Sequence, residues 1–235
     1  MKSNRSIYWA GVFPLLQLQG IGSRLFLHGQ TSAELREVEI GKIVRSCWLT
    51  TTGRVKALLE IRFDEQGADI LVLAGDAKSL FESLEDVIFP ADQVTIKGLN
   101  KIRRLQLIDQ SLVGVSSLVE WVPTECSLPD KWLNLEEATS EKVEQWRVYN
   151  CLPISSNEIN GENNPLELGL DDWISLDKGC YLGQEALARI ARSHSLKQEL
   201  RGWKASSPIS PGDCLYDSGV KEFIYINRAA VVTSV

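Results

Sequence analysis

Two strand-like runs, residues 44–50 and 55–63, flank the dipeptide Thr52-Gly53, and this pairing constrains the fold more than any other feature of the chain. Alternating apolar residues with turn chemistry between them predict an antiparallel hairpin. A third strand is expected at 69–73. Asp76 then stands as an N-cap before Leu80, Phe81, Leu84, Val87 and Ile88, which recur at helical spacing until Pro90. Residues 93–96 and 103–108 read as two further strands. Strands, one helix, then strands again imply an α+β fold with antiparallel sheets and packed helices, not a parallel βαβ repeat. Lys2 and Arg5 before an apolar run at 7–18 faintly imitate a signal peptide. Pro14 and Gln17 interrupt that run and no small-residue cleavage site follows, so it reads as a first strand.

Composition shifts divide the chain at 134 and 200. The first part, 1–134, is an α+β subdomain. The second, 135–200, follows a stretch rich in loop formers, Pro123, Thr124, Pro129 and Asp130. In it, Ser140 caps a helix that carries Val143, Trp146 and Arg147 and stops before Pro153. Residues 155–164 are almost wholly polar and read as a loop or lid that buries almost nothing and moves when no ligand is present. The third part is 201–235.

The 235 residues carry a net charge of −6, which argues against direct nucleic-acid binding, because neutralising phosphates needs a basic face. Five scattered cysteines form no C-x-x-C pair, and with only two histidines, His28 and His194, they are a poor set of ligands for a metal or an iron-sulfur cluster. They read as reduced thiols of a cytoplasmic protein rather than a disulfide framework. No apolar window reaches the length of a membrane span.

The run Asp177-Lys178-Gly179-Cys180-Tyr181-Leu182-Gly183-Gln184-Glu185 carries the chemistry. It sets a thiol in a tight turn before a helix expected at 183–192. The ammonium of Lys178 and the positive end of that helix both favour a thiolate at Cys180. Gly179 and Gly183 fit a backbone that turns sharply into a helix. Leu182, Ala186, Leu187, Ile190 and Ala191 make an apolar face, with Glu185, Arg189 and Arg192 largely opposite.

The motif Lys178-Gly179-Cys180-Tyr181-x-Gly183-Gln184-Glu185 resembles the K-G-C-Y-x-G-Q-E signature of the YgfZ family, folate-binding proteins related to the aminomethyltransferase (T-protein) of glycine cleavage. Further segments agree in order: Leu27-His28-Gly29-Gln30-Thr31-Ser32, Leu49-Thr50-Thr51-Thr52-Gly53-Arg54-Val55, Arg147-Val148 with Leu152-Pro153, and Pro165-Leu166-Glu167 with Gly169-Leu170. The resemblance implies a T-protein-like architecture whose C-terminal β-barrel, at 201–235, is reduced or incomplete. It implies tetrahydrofolate, or a one-carbon derivative, as cofactor. It also implies accessory work in assembling or repairing iron-sulfur clusters, with client or assembly proteins as partners.

In that reading Cys180 is the reactive centre, Lys178 lowers its pKa, and Gln184 and Glu185 fix the turn or meet the ligand. Glu167 matches the position that holds the pterin, whose adjacent amino group and ring N–H suit a carboxylate. Trp173, Tyr149 or Tyr181 is expected to wall the ligand, and Arg147, Arg189 or Arg192 to hold its acidic tail. The transferases carry an aspartate soon after the hairpin glycine, where this chain has Arg54-Val55-Lys56-Ala57-Leu58-Leu59. Without an acid in that stretch, aminomethyl transfer becomes the alternative rather than the first reading. A scaffold that binds folate or a partner without chemistry is the other alternative.

Overall fold

The computed structural model describes residues 6–108, 118–156, 158–193, 198–201 and 230–233. Packing groups the chain into two units, each assembled from separated stretches: 12–103 with 154–196, and 1–11 with 104–153 and 197–235. This differs from the division at 134 and 200 read from composition. Two of the passages from one unit to the other fall inside long strands, β1 (Ile7–Gln19) and β5 (Thr95–Ile108), where no loop-forming composition marks the boundary.

In the unit of 12–103 and 154–196, β2 (Ile43–Leu49), β3 (Val55–Phe63) and β4 (Gly67–Gly75) precede β1 and β5 in the sheet order β2-β3-β4-β1-β5. The hairpin is antiparallel and sets Arg45 opposite Glu60 and Cys47 opposite Leu58. Alternation sends Ala57, Leu59, Ile61 and Phe63 to one face with Leu16, Trp48, Ile70 and Val72. Onto that face pack Phe26 and Leu27 of helix α1 (Ser23–Gln30) and Leu80 and Leu84 of α2 (Ala77–Glu85). Each of these large side chains contributes about 1.5–3 kcal/mol by leaving water, which makes this face the main support of the unit.

Asp76 caps α2 as expected, accepting from the backbone N–H groups of Lys78 and Ser79. The helix ends at Glu85, and Val87 and Ile88 continue as hydrogen-bonded turns before a 3-10 turn at Pro90–Asp92. The two strands expected at 93–96 and 103–108 are one strand, β5. Lys97, Leu99, Asn100 and Lys101 in its middle are exposed, so the apolar alternation that marks a half-buried strand is missing there.

The other unit holds β6 (Val119–Pro123), α3 (Asp130–Leu133), β7 (Glu136–Glu137) and α4 (Ser140–Tyr149). Tyr8, Leu105, Val122 and Trp132 form its core, and Trp9 lies against Trp146 with ring centres 6.0 Å apart. Thr139, not Ser140, caps α4 and accepts from the Lys142 N–H. Strands β8 (Gln198–Arg201) and β9 (Ala230–Thr233) pair antiparallel. The rest of the expected barrel, in 201–235, lies outside the described residues.

Candidate functional site

Three stretches far apart in sequence meet at the β2–β3 turn. Gly53, at φ +76°, closes that turn by donating to the Thr50 carbonyl. Gly183, at φ +84°, lies so close that a Cβ there would stand 2.5 Å from the Thr50 oxygen and 2.9 Å from the Gly53 Cα. No residue with a side chain fits such an approach, which is the physical reason for glycine at both positions. On the same hairpin, the Val55 N–H donates to the Asn163 carbonyl at 2.8 Å.

That last bond belongs to 155–164, which was expected to bury almost nothing. Instead Glu158, Ile159, Asn163 and Asn164 are buried, and Glu158 accepts from the Ser155 N–H at 3.0 Å. The segment is built by polar groups that satisfy main chain, so it is not an open lid. It leads into Glu167. The Asn164 and Glu167 main-chain N–H groups are exchanged between the two side chains, Asn164 N–H to Glu167 Oε2 at 2.9 Å and Glu167 N–H to Asn164 Oδ1 at 3.0 Å. Glu167 is only 5% exposed, and Arg54 Nη1 also donates to Oε2, at 3.0 Å. Oε1 takes no hydrogen bond from a described residue. Arg54 follows the hairpin glycine in the sequence motif but was not read as a site residue.

Lys178 lies in a position different from the one expected of a thiol activator. Its Nζ donates to the carbonyls of His28 at 2.6 Å, Thr31 at 2.7 Å and Ala33 at 2.7 Å, and the side chain is buried. All three ammonium hydrogens are thereby committed to main chain. The acceptors lie at and just beyond the C-terminus of α1, where carbonyls lack helical partners and the dipole favours a cation. Burial pulls the Lys178 pKa down to about 8, while three acceptors need three hydrogens, so at neutral pH it remains an ammonium. The Tyr181 ring lies 4.7 Å from Nζ.

Around this anchor the motif residues separate in role. Gln184 donates to the carbonyls of Lys178 at 2.9 Å and Leu176 at 3.3 Å, which closes the turn on itself. Cys180 stands exposed at its tip. Glu185 lies in the first turn of α5 (Gln184–Ser193) and Arg192 in its last, both exposed. Tyr181 is buried, its hydroxyl without a partner among the described residues, and burial pushes its pKa up to about 12. Cys47 is sealed in β2, with its thiol raised by burial to about 12. Of the expected wall, Trp173 is buried with the Arg45 guanidinium 5.5 Å above its ring. Tyr149 and Arg147 belong to the other unit, where Arg147 is clamped by Glu144 through two contacts of 2.6 Å.

Among the described residues, no three His, Cys, Asp or Glu side chains gather as a metal site, and no helix is long and apolar enough to cross a membrane. No protein-family model matches the chain. A chloroplastic protein of Arabidopsis thaliana, named as a candidate transferase, is 28% identical over 251 positions, covering 89% of this chain. The chain spans 58% of that relative's length. The crystal structure of the glycine cleavage system aminomethyltransferase T from Bartonella henselae matches with a TM-score of 0.70 over 92% of this chain and 71% of that one, at 16% identity. The chain has the aminomethyltransferase T fold.

Lys178→Met should orphan three carbonyls and destabilise the fold by about 3 kcal/mol in urea unfolding. Stability equal to wild type would contradict the anchoring role.

Proposed function

We propose that this protein binds tetrahydrofolate, or a one-carbon derivative of it, and acts as an accessory to the assembly or repair of iron-sulfur clusters in client enzymes. The fold is that of a protein named for aminomethyl transfer in glycine cleavage, and the motif around Cys180 resembles the YgfZ signature. The observation that carries the folate reading is Glu167. A buried carboxylate with one oxygen that takes no donor among the described residues suits the paired N–H groups of a pterin.

Arg54 and the Asn164 main-chain N–H hold the carboxylate in one orientation, so its binding geometry is set before a ligand arrives. Both donors occupy Oε2, and a pterin that used both oxygens would replace the Arg54 contact. The Arg54 side chain is 37% exposed, which leaves it room to leave. Bound folate would supply a carrier for a one-carbon unit. Cys180, open to solvent at the turn, supplies a nucleophile.

Aminomethyl transfer itself fits less well. The strand after the hairpin glycine offers Ala57, Leu58 and Leu59, all fully buried, where the reaction needs an acid-base group. Glu60 is the first acid along it, sealed at 0% exposure with Arg45 3.7 Å away.

Titrating a reduced folate against tryptophan fluorescence should give saturable quenching in wild type. Glu167→Ala should weaken the affinity about a hundredfold, the worth of a charge-assisted hydrogen-bond pair. Equal affinity in that variant removes the assignment. Cys180→Ser should bind folate as wild type does and fail to sustain iron-sulfur client activity under oxidative stress. Full client activity in Cys180→Ser would leave folate binding standing and remove the thiol mechanism.

A further inference from the structure

The outer side of α1 carries large apolar residues where a solvated helix would carry polar ones. Ile21, one residue before the N-cap, and Leu25 are 87% and 71% exposed at i and i+4, and Gly29 follows at i+8 with open space where its Cβ would stand. The inner side of the helix is occupied by the core through Phe26 and Leu27. A Cβ on Gly20 would overlap the Gln93 carbonyl and one on Gly22 the Asp92 carbonyl, so Ile21 stands between two glycines pressed against residues 92–93. The Ser23 hydroxyl ties the turn further, donating to the Gly20 carbonyl at 2.8 Å. Asp92 accepts from the Phe89 N–H at 2.7 Å, and Phe89 is 65% exposed. Main-chain packing thus holds Ile21, Leu25 and Phe89 at one corner of the unit. Apolar surface presented rigidly to solvent marks a contact with another molecule.

The charges around that corner say which kind. There α2 ends in Glu85 and Asp86 with no basic residue in its last turn, although the negative pole of a helix favours cations. Neither carboxylate meets a cation among the described residues. Glu82 is engaged by Lys78 at 3.6 Å, and Arg24, the cation beside Leu25, turns inward to the Leu35 and Val38 carbonyls with its guanidinium over the Phe63 ring. The corner is therefore apolar with an acidic rim. A second copy in a two-fold contact would bring an equally acidic rim against it, and an anionic lipid surface would be repelled. A basic segment compensates both the carboxylates and the helix end.

We propose that the outer face of α1, with Phe89, docks a partner protein through a basic amphipathic helix, whose apolar residues cover Ile21 and Leu25 and whose lysines or arginines meet Glu85 and Asp86. Gly29 lets that helix approach closely. The inference neither requires nor excludes folate at Glu167, so the two readings fail separately.

The test uses the full chain and a fluorescent synthetic peptide with leucine on one helical face and lysine on the other, followed by anisotropy, beside a counterpart with glutamate for lysine. The lysine peptide should bind saturably and the glutamate peptide should not. Ile21→Ser combined with Leu25→Gln removes apolar surface without changing charge or core, and should weaken binding about tenfold. Asp86→Lys should weaken it about fivefold, the upper range for an exposed ion pair. Glu125→Lys, the same change of charge at an exposed residue of the other unit, should bind as wild type does. No binding of the lysine peptide, equal binding of the glutamate peptide, unchanged affinity in the double variant or an equal loss in Glu125→Lys overturns the proposal. So does a wild-type dimer in sedimentation that the double variant abolishes, which gives the corner to a second copy. Neutral phosphatidylcholine vesicles that bind wild type and not the double variant overturn it as well, in favour of a membrane.

Discussion

The Lys178 ammonium, bonded to three carbonyls at the end of α1, is the interaction on which the site depends. A loop that carries an exposed cysteine has little apolar surface of its own with which to stay in place. Lys178 ties the loop to a helix whose other side is seated on the sheet by Phe26 and Leu27. A buried cation without acceptors would be strongly unfavourable, and carbonyls at a helix C-terminus without donors would be as well. Each removes the other's penalty, and the position of Cys180 follows from that exchange.

The second constraint is the contact between Gly53 and Gly183. Backbones this close need glycine on both sides, so the hairpin turn and the thiol turn are fixed together. Arg54 follows Gly53 directly and reaches Glu167, whose carboxylate is further shaped by Asn164. A planar guanidinium beside a buried carboxylate presents the same kind of donors as a pterin edge. Arg54 thus stands where the proposed ligand would place its donors.

The sequence disclosed the elements that local chemistry governs. The hairpin, the Asp76 cap and the helix after the motif were legible because alternation, capping side chains and 3.6-residue spacing act within a few residues. The joined strand β5 was not, since Lys97 to Lys101 face solvent and show no alternation. The burial of 155–164 was hidden because composition registers polarity and cannot register that Asn163 and Asn164 are satisfied by main chain and by Glu167. Lys178 was read as the neighbour of Cys180 along the chain. Its actual partners lie 145 to 150 residues away, beyond any local pattern. Arg54 sat inside a matched motif, and only the fold reveals that it meets Glu167.

The account's central claim is that Glu167 is a preformed carboxylate for a pterin, held by Arg54 until the ligand comes. A crystal structure of the full chain with a reduced folate tests it most directly. The account predicts a pterin whose amino group and ring N–H meet both Glu167 oxygens, with Arg54 moved off Oε2. A folate bound elsewhere, with the Arg54–Glu167 pair intact, would contradict it.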